Sequence, residues 1–169
     1  KHKYDIPVVN TEHSSNHISG RFFLPAQKRI ISRTLASVDR GIAVSQFLAD
    51  VLRQSHPDIE VVGNVINTDF FHLAPLPDQS PFIFASVGSL VQVKNFPLLI
   101  RAFTQAYKGQ NSYLNIGGDG PEREAIESVI IECDMSEQIR LLGRLNSQQV
   151  RELFQQSHVI VSSSHIETF

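Results

Sequence analysis

From Phe82 onward, short apolar runs alternate with helix-length stretches, and this rhythm constrains the fold more than any single motif. Residues 82–87, 113–116, 139–142 and 158–161 read as strands. Residues 97–107, 121–133 and 147–156 read as helices, the last capped by Ser147. Strands separated by helices of this length build βαβ units, hence a parallel sheet with right-handed crossovers. The earlier chain is less regular. Residues 6–10, 41–44 and 59–62 read as short strands, and Ser45 caps a helix running to Gln54. Residues 72–81, with Pro75, Pro77 and Pro81, read as a loop.

In a parallel sheet all strand carboxyl ends open on one edge, where open α/β sheets keep their ligands. Here the exits are 88–95, 117–120, 143–146 and 162–167, each glycine-rich or polar. The sharpest is Gly117-Gly118-Asp119-Gly120-Pro121, a strand–turn–helix joint in which Pro121 suits a first helical position. It is neither a dinucleotide fingerprint, since Arg123 stands where a third glycine is needed, nor a Walker loop. Glu122 and Glu124 would repel a phosphate set directly on this helix end, and an ordinary βα turn explains the local sequence as well.

The candidate residues lie at these exits. Lys94, just before a helix, can meet a phosphate as a point charge or simply be a solvated lysine. Glu167 can accept hydrogen bonds from sugar hydroxyls or be a surface carboxylate. Arg144 can reach a ligand but is also an ordinary loop arginine, and His13 by spacing alone is a structural histidine. No His or Cys pair with metal-ligand spacing occurs, no Asp-x-Asp and no Gly-x-Ser-x-Gly elbow, so no metal site is expected.

Composition narrows the classes. A net charge of −2, from 15 basic and 17 acidic residues, argues against nucleic-acid binding. The one cysteine, Cys133, excludes a disulfide framework and suits a reducing, cytoplasmic compartment. No apolar run approaches the roughly 20 residues of a membrane span. Residues 21–38 read as a helix starting near Pro25, with Arg21, Lys28, Arg29 and Arg33 basic and Phe22, Phe23, Leu24, Ile30, Ile31 and Leu35 apolar. Such a helix either packs its apolar side on a core or lies peripherally on the inner face of an anionic membrane.

Five segments in register resemble retaining GT-B glycosyltransferases of the GT4 type: residues 61–70, 87–96, 117–124, 142–145 and 163–169. Residues 7–15 resemble the late part of that family's acceptor-side domain, with its histidine. The resemblance implies an α/β chain: a remnant of the N-terminal acceptor domain over 1–56 and a nearly whole Rossmann-like donor domain over 57–169. It implies transfer of a sugar from a UDP-, GDP- or ADP-sugar to a saccharide or lipid-linked acceptor with retention, in surface polysaccharide synthesis, without a resident cofactor. Carried over by position, Lys94 contacts the donor diphosphate and Glu167 the donor sugar, and His13 is the cleft histidine. Gly88, Ser89, Gly118, Asp119, Gly120, Arg144 and Leu145 line the nucleotide pocket. Ser89 departs from the family, which usually has arginine there. The family's second glutamate and its N-terminal glycine-rich loop are not in the chain, so it is expected to be a middle piece, inactive alone. The competing reading is a non-catalytic module of the same fold that binds sugar nucleotide or polysaccharide. A receiver- or flavodoxin-like protein would need an early acidic cluster or flavin phosphate loop, and neither occurs.

Overall fold

A computed structural model describes residues 6–14, 25–54, 56–77 and 80–168. The chain forms two compact units, Lys1–Ile66 together with Ile166–Phe169, and Asn67–His165.

In the first unit, β1 (Val9–Glu12), β2 (Arg40–Ala43) and β3 (Ile59–Val61) form a parallel sheet in that order. Helix α1 (Pro25–Ser37) follows β1, and α2 (Gln46–Arg53) follows β2. Ser45 caps α2 as expected, its hydroxyl accepting from the Leu48 N–H. Leu35, Val44, Leu48, Leu52 and Ile59 are buried together as the core. Gly41 admits this packing, since a Cβ there would lie 2.5 Å from Ile59 Cδ1. In α1, Leu35 is buried with Ile31 against the core, while Ile30 is exposed beside Arg29 and Arg33. This helix therefore turns part of its apolar side inward. Arg21, Phe22, Phe23 and Leu24 lie outside the described residues.

One boundary differs from the expected division at residue 56. Strand β3 pairs with β2, Gly41 facing Ile59 and Ala43 facing Val61, so residues 59–61 complete the first sheet. The division falls after Ile66.

The second unit carries the regular alternation. Strands β4 (Phe82–Val87), β5 (Ser112–Gly117), β6 (Ile139–Gly143) and β7 (Val159–Ile160) form a parallel sheet in the order β6-β5-β4-β7. Helices α3 (Phe96–Tyr107), α4 (Arg123–Glu132) and α5 (Ser147–Gln155) follow the first three strands. Leu90, Ile100, Leu114, Ile116, Ile126 and Met135 are fully enclosed. Burying an aliphatic side chain of this size stabilises by about 1.5–3 kcal/mol, and the period-two and helical spacing of these residues directs them to one core.

Two helix starts differ from expectation. Asn146, not Ser147, caps α5: its side chain accepts from the Gln149 N–H at 2.9 Å while Gln149 Oε1 accepts from the Asn146 N–H. That reciprocal pair satisfies two otherwise orphan donors, which serine one residue later cannot do. Pro121 stands in a turn before α4, whose cap position is Glu122. The Glu122 N–H donates to the Leu90 carbonyl, holding this turn on the β4 exit before the helix begins.

Gln138 fastens the turn between α3 and β5. Its Nε2 lies within 2.9–3.1 Å of the carbonyls of Tyr107, Gln110 and Ser112, and its Oε1 accepts from the Gly109 N–H at 3.0 Å. Gln138→Ala leaves these groups short of partners and should cost about 1–3 kcal/mol, seen in urea unfolding as a lower midpoint with unchanged slope. A loss under about 0.5 kcal/mol would show that solvent replaces the amide.

Candidate active site

The carboxyl edge of the second sheet is closed by main-chain hydrogen bonds. The Gly88 N–H donates to the Gly117 carbonyl at 2.9 Å, and the Leu90 N–H to that of Asp119 at 3.0 Å. The Gly118 N–H donates to the Gly143 carbonyl at 2.7 Å. The fourth exit joins through Ser163, whose Oγ donates to the Lys94 carbonyl at 2.8 Å, and through the His165 N–H, which donates to the Val93 carbonyl. Four exits separate in sequence thus become one surface.

Glycine is required where these strand exits meet. Gly118 has φ +144°, and a Cβ there would fall onto the Gly88 carbonyl oxygen. At Gly120 a Cβ would lie 2.5 Å from the Leu90 carbonyl oxygen. Gly118 and Gly120 of the strand–turn–helix joint therefore let two backbones touch. Glycine is needed here for close packing of the loop on its neighbour.

A depression of about 230 Å³ opens on this edge. Val87, Gly88 and Ser89 line it from the β4 exit, Gly117, Gly118 and Asp119 from the β5 exit, and Arg144 and Leu145 from the β6 exit. Six of the expected pocket residues, Gly88, Ser89, Gly118, Asp119, Arg144 and Leu145, are thereby brought together. Gly120 lies one residue beyond the lining, with its N–H donating to Asp119 Oδ1 at 2.9 Å. Lys94 is half-buried, and its Cε and Cδ come within 3.7–3.8 Å of where a Gly88 Cβ would stand. The lysine stem therefore runs at van der Waals distance along the pocket wall at Gly88. His13, exposed after β1, and Glu167, half-buried, belong to the first unit. Val87 and Gly117, which complete the lining, were not among the expected pocket residues, although both stand in the segments 87–96 and 117–124 singled out in the sequence; they flank the glycine turns, where a strand reaches the pocket.

The electrostatics centre on Asp119 and Arg123. Arg123 Nε lies 3.0 Å from Glu127 Oε1, and its Nη1 3.9 Å from Asp119 Oδ1. These pairs are partly solvated and each stabilises by under about 1 kcal/mol, but they balance the carboxylate at the pocket rim. A second depression of about 290 Å³ lies elsewhere in this unit, walled by Phe71, Leu73, Leu76, Phe154 and Ile160. It is apolar and holds none of the candidate residues. Arg151 sits there over the Phe70 ring at 4.7 Å.

The family model of glycosyl transferases group 1 matches residues 68–169, more than half of the chain, and that of glycosyltransferase family 4 matches residues 1–70. The chain belongs to the glycosyl transferases group 1. One component of the phosphatidylinositol N-acetylglucosaminyltransferase of Arabidopsis thaliana is 25% identical over 168 residues, covering 96% of this chain and 37% of that protein. The lipopolysaccharide core biosynthesis glycosyltransferase LpsD of Rhizobium meliloti is 35% identical over 95 residues, 51% of this chain and 25% of that protein. The fold is that of GT-B glycosyltransferases such as Anabaena HepE, solved with UDP and glucose: TM-score 0.82 at 17% identity, over 96% of this chain and 48% of that one. The chain spans about a third of the length of the first curated relatives it matches.

This glycosyltransferase-family edge makes a graded prediction. Gly118→Ala forces a Cβ onto a fixed carbonyl and should cost about 2–4 kcal/mol of unfolding free energy. Gly143→Ala, with φ +74° but nothing within 4 Å of its Cβ, meets only the left-handed backbone penalty of about 1–2 kcal/mol. Equal losses in chemical denaturation would contradict the close-approach account.

Proposed function

We propose that this chain holds the donor-binding part of a glycosyltransferase that moves a sugar from a nucleotide sugar to a saccharide or lipid-linked acceptor, with retention of configuration. The observation that carries the reading is the single depression where Gly88, Ser89, Gly118, Asp119, Arg144 and Leu145 meet, with the Lys94 stem against its wall. At about 230 Å³ it is smaller than the roughly 300–1,000 Å³ of typical ligand pockets. It suits the phosphate end of a nucleotide better than a whole sugar nucleotide.

Departure of a nucleoside diphosphate develops negative charge on its phosphates. A cation already fixed beside them stabilises that charge without reorganising during reaction. Lys94 is assigned this role, and the main-chain N–H groups of the glycine exits a share in holding the phosphates. Glu167 is assigned to the donor sugar and His13 to the reacting end of the acceptor. No metal or resident cofactor is part of the proposal. UDP is the first nucleotide to try, because the HepE structure carries it; GDP and ADP follow. Work on a cytoplasmic membrane face, with α1 resting on lipid through Ile30 between Arg29 and Arg33, extends the same reading. Among the described residues no helix is long and apolar enough to cross a membrane.

The second reading is a non-catalytic module that binds a sugar nucleotide or a polysaccharide. It is favoured by Ser89, an uncharged residue on the pocket wall. Release of free nucleoside diphosphate from a bound sugar nucleotide separates the two.

Calorimetric titration of UDP, GDP and ADP into the chain tests the donor site. Saturable binding of one of them is expected, weakened at least tenfold by Lys94→Ala, which corresponds to about 1.4 kcal/mol. A folded chain that binds none of the three, or binds one with no loss in Lys94→Ala, would overturn it.

A further inference from the structure

We infer that Ser45 is a positioning residue: by holding the Thr168 carbonyl, its hydroxyl sets where the neighbouring Glu167 stands, and so acts on the donor sugar and not on the diphosphate. The inference rests on the assignment of Glu167 to the donor sugar made above and goes beyond it by naming what holds that residue.

Glu167 lies on a short stretch of chain that is fastened before and after it. Before it, Ser163 Oγ donates to the Lys94 carbonyl at 2.8 Å, and the His165 N–H donates to the Val93 carbonyl at 2.9 Å. After it, Ser45 Oγ donates to the Thr168 carbonyl, a contact within the first unit, and Thr168 is buried there. Along the chain, Glu167 therefore falls between two hydrogen-bonded peptide groups. A carboxylate on a long side chain is held to one geometry only where its backbone and the groups behind it are fixed.

The anchor itself is rigid. Ser45 has an extended backbone, with φ −152° and ψ 160°, and its carbonyl accepts the Ala49 N–H at 3.0 Å. Val44 beside it, and Leu48 and Ala49 one turn on, are buried in the first unit's core. The same Oγ accepts the Leu48 N–H at 3.2 Å as the cap of α2. A hydroxyl has one proton to give and lone pairs to receive. Receiving the helix N–H leaves its proton for Thr168 and polarises it, so the cap bond strengthens the second one. Capping alone would be served as well by aspartate. The bond to Thr168 needs a donor, which aspartate lacks.

Capping and positioning thus use different halves of one hydroxyl, and substitutions separate them. Ser45→Asp keeps a cap acceptor and loses the donor, whereas Ser45→Thr keeps both. Ser45→Gly, a tolerated cap residue without a hydroxyl, repeats the test should the aspartate variant unfold. UDP, GDP and ADP, and the glucose and N-acetylglucosamine esters of the one that binds, are titrated into wild type, these variants and Glu167→Gln, with urea unfolding confirming that each is folded. The readout is the ratio of nucleotide-sugar to diphosphate affinity, which a general loosening of the fold does not move. Glu167→Gln should lower this ratio about tenfold, as expected for a lost hydrogen bond to a charged group. Ser45→Asp should lower it about threefold or more, with diphosphate affinity within about twofold of wild type, and Ser45→Thr should keep it. An unchanged ratio in folded Ser45→Asp and Ser45→Gly, beside a lowered one in Glu167→Gln, would overturn the inference and leave Ser45 a helix cap, with the donor-sugar assignment standing. Equal weakening of diphosphate and nucleotide sugar in the Ser45 variants would overturn it too. No change of ratio in Glu167→Gln would overturn the assignment and the inference together, as would failure of the wild-type chain to bind any of the three diphosphates.

Discussion

The close backbone contact at the carboxyl edge of the second sheet is the constraint on which the candidate site depends. Gly118 and Gly120 bring the β5 exit against the carbonyls of Gly88 and Leu90, and the Gly118 N–H ties it to Gly143. A side chain at either glycine would push the loops apart. The pocket is set first by backbone contacts, with Leu145 against Gly117 beside them. It exists because three strand ends are joined main chain to main chain, and the residues that line it are carried on that joint. Rigidity of this kind suits a site that must present fixed N–H groups and cations to a developing charge.

The sheet beneath supplies the stiffness. Leu114 and Ile116 on β5, Phe84 on β4 and Ile139 on β6 bury into one core with Ile100, Ile126 and Met135. Strands of a parallel sheet are covered on both faces, so register slips are strongly disfavoured. In register, Val87 faces Gly117, and Gly117 faces Gly143 across an irregularity in the ladder. That fixed alignment is what lets exits far apart in sequence end at the same height.

Much of this was legible in the sequence. The alternation after Phe82 announced the sheet, because buried strands and amphipathic helices have different periods. That the strand exits would share one edge was legible too, because a parallel sheet must gather its carboxyl ends; the individual pocket residues came from the family likeness, and six of them line one depression. Less legible were features that depend on contacts between segments. The pairing of β3 with β2 moved the division of the chain past residue 56, and no local pattern in residues 59–61 says which strand they will join. Asn146 and Ser147 are both good caps, and only the answering Gln149 decides between them. The reason for Gly118 and Gly120 could not be read locally either, since the atoms they avoid lie about thirty residues earlier. His13 owed its assignment to a family likeness and Glu167 to its strand exit together with that likeness, and neither is among the residues lining the depression.

The most direct measurement is a two-dimensional amide NMR spectrum of the isotope-labelled chain, recorded as UDP, GDP or ADP is added. If the joined strand exits are the donor site, the shifts concentrate on the amides of residues 88–90, 117–120 and 143–145, with residues 71–77 and 151–160 unmoved. Shifts that gather instead on the apolar depression walled by Phe71, Leu76 and Phe154, or that appear nowhere in a well-dispersed spectrum, would contradict the account.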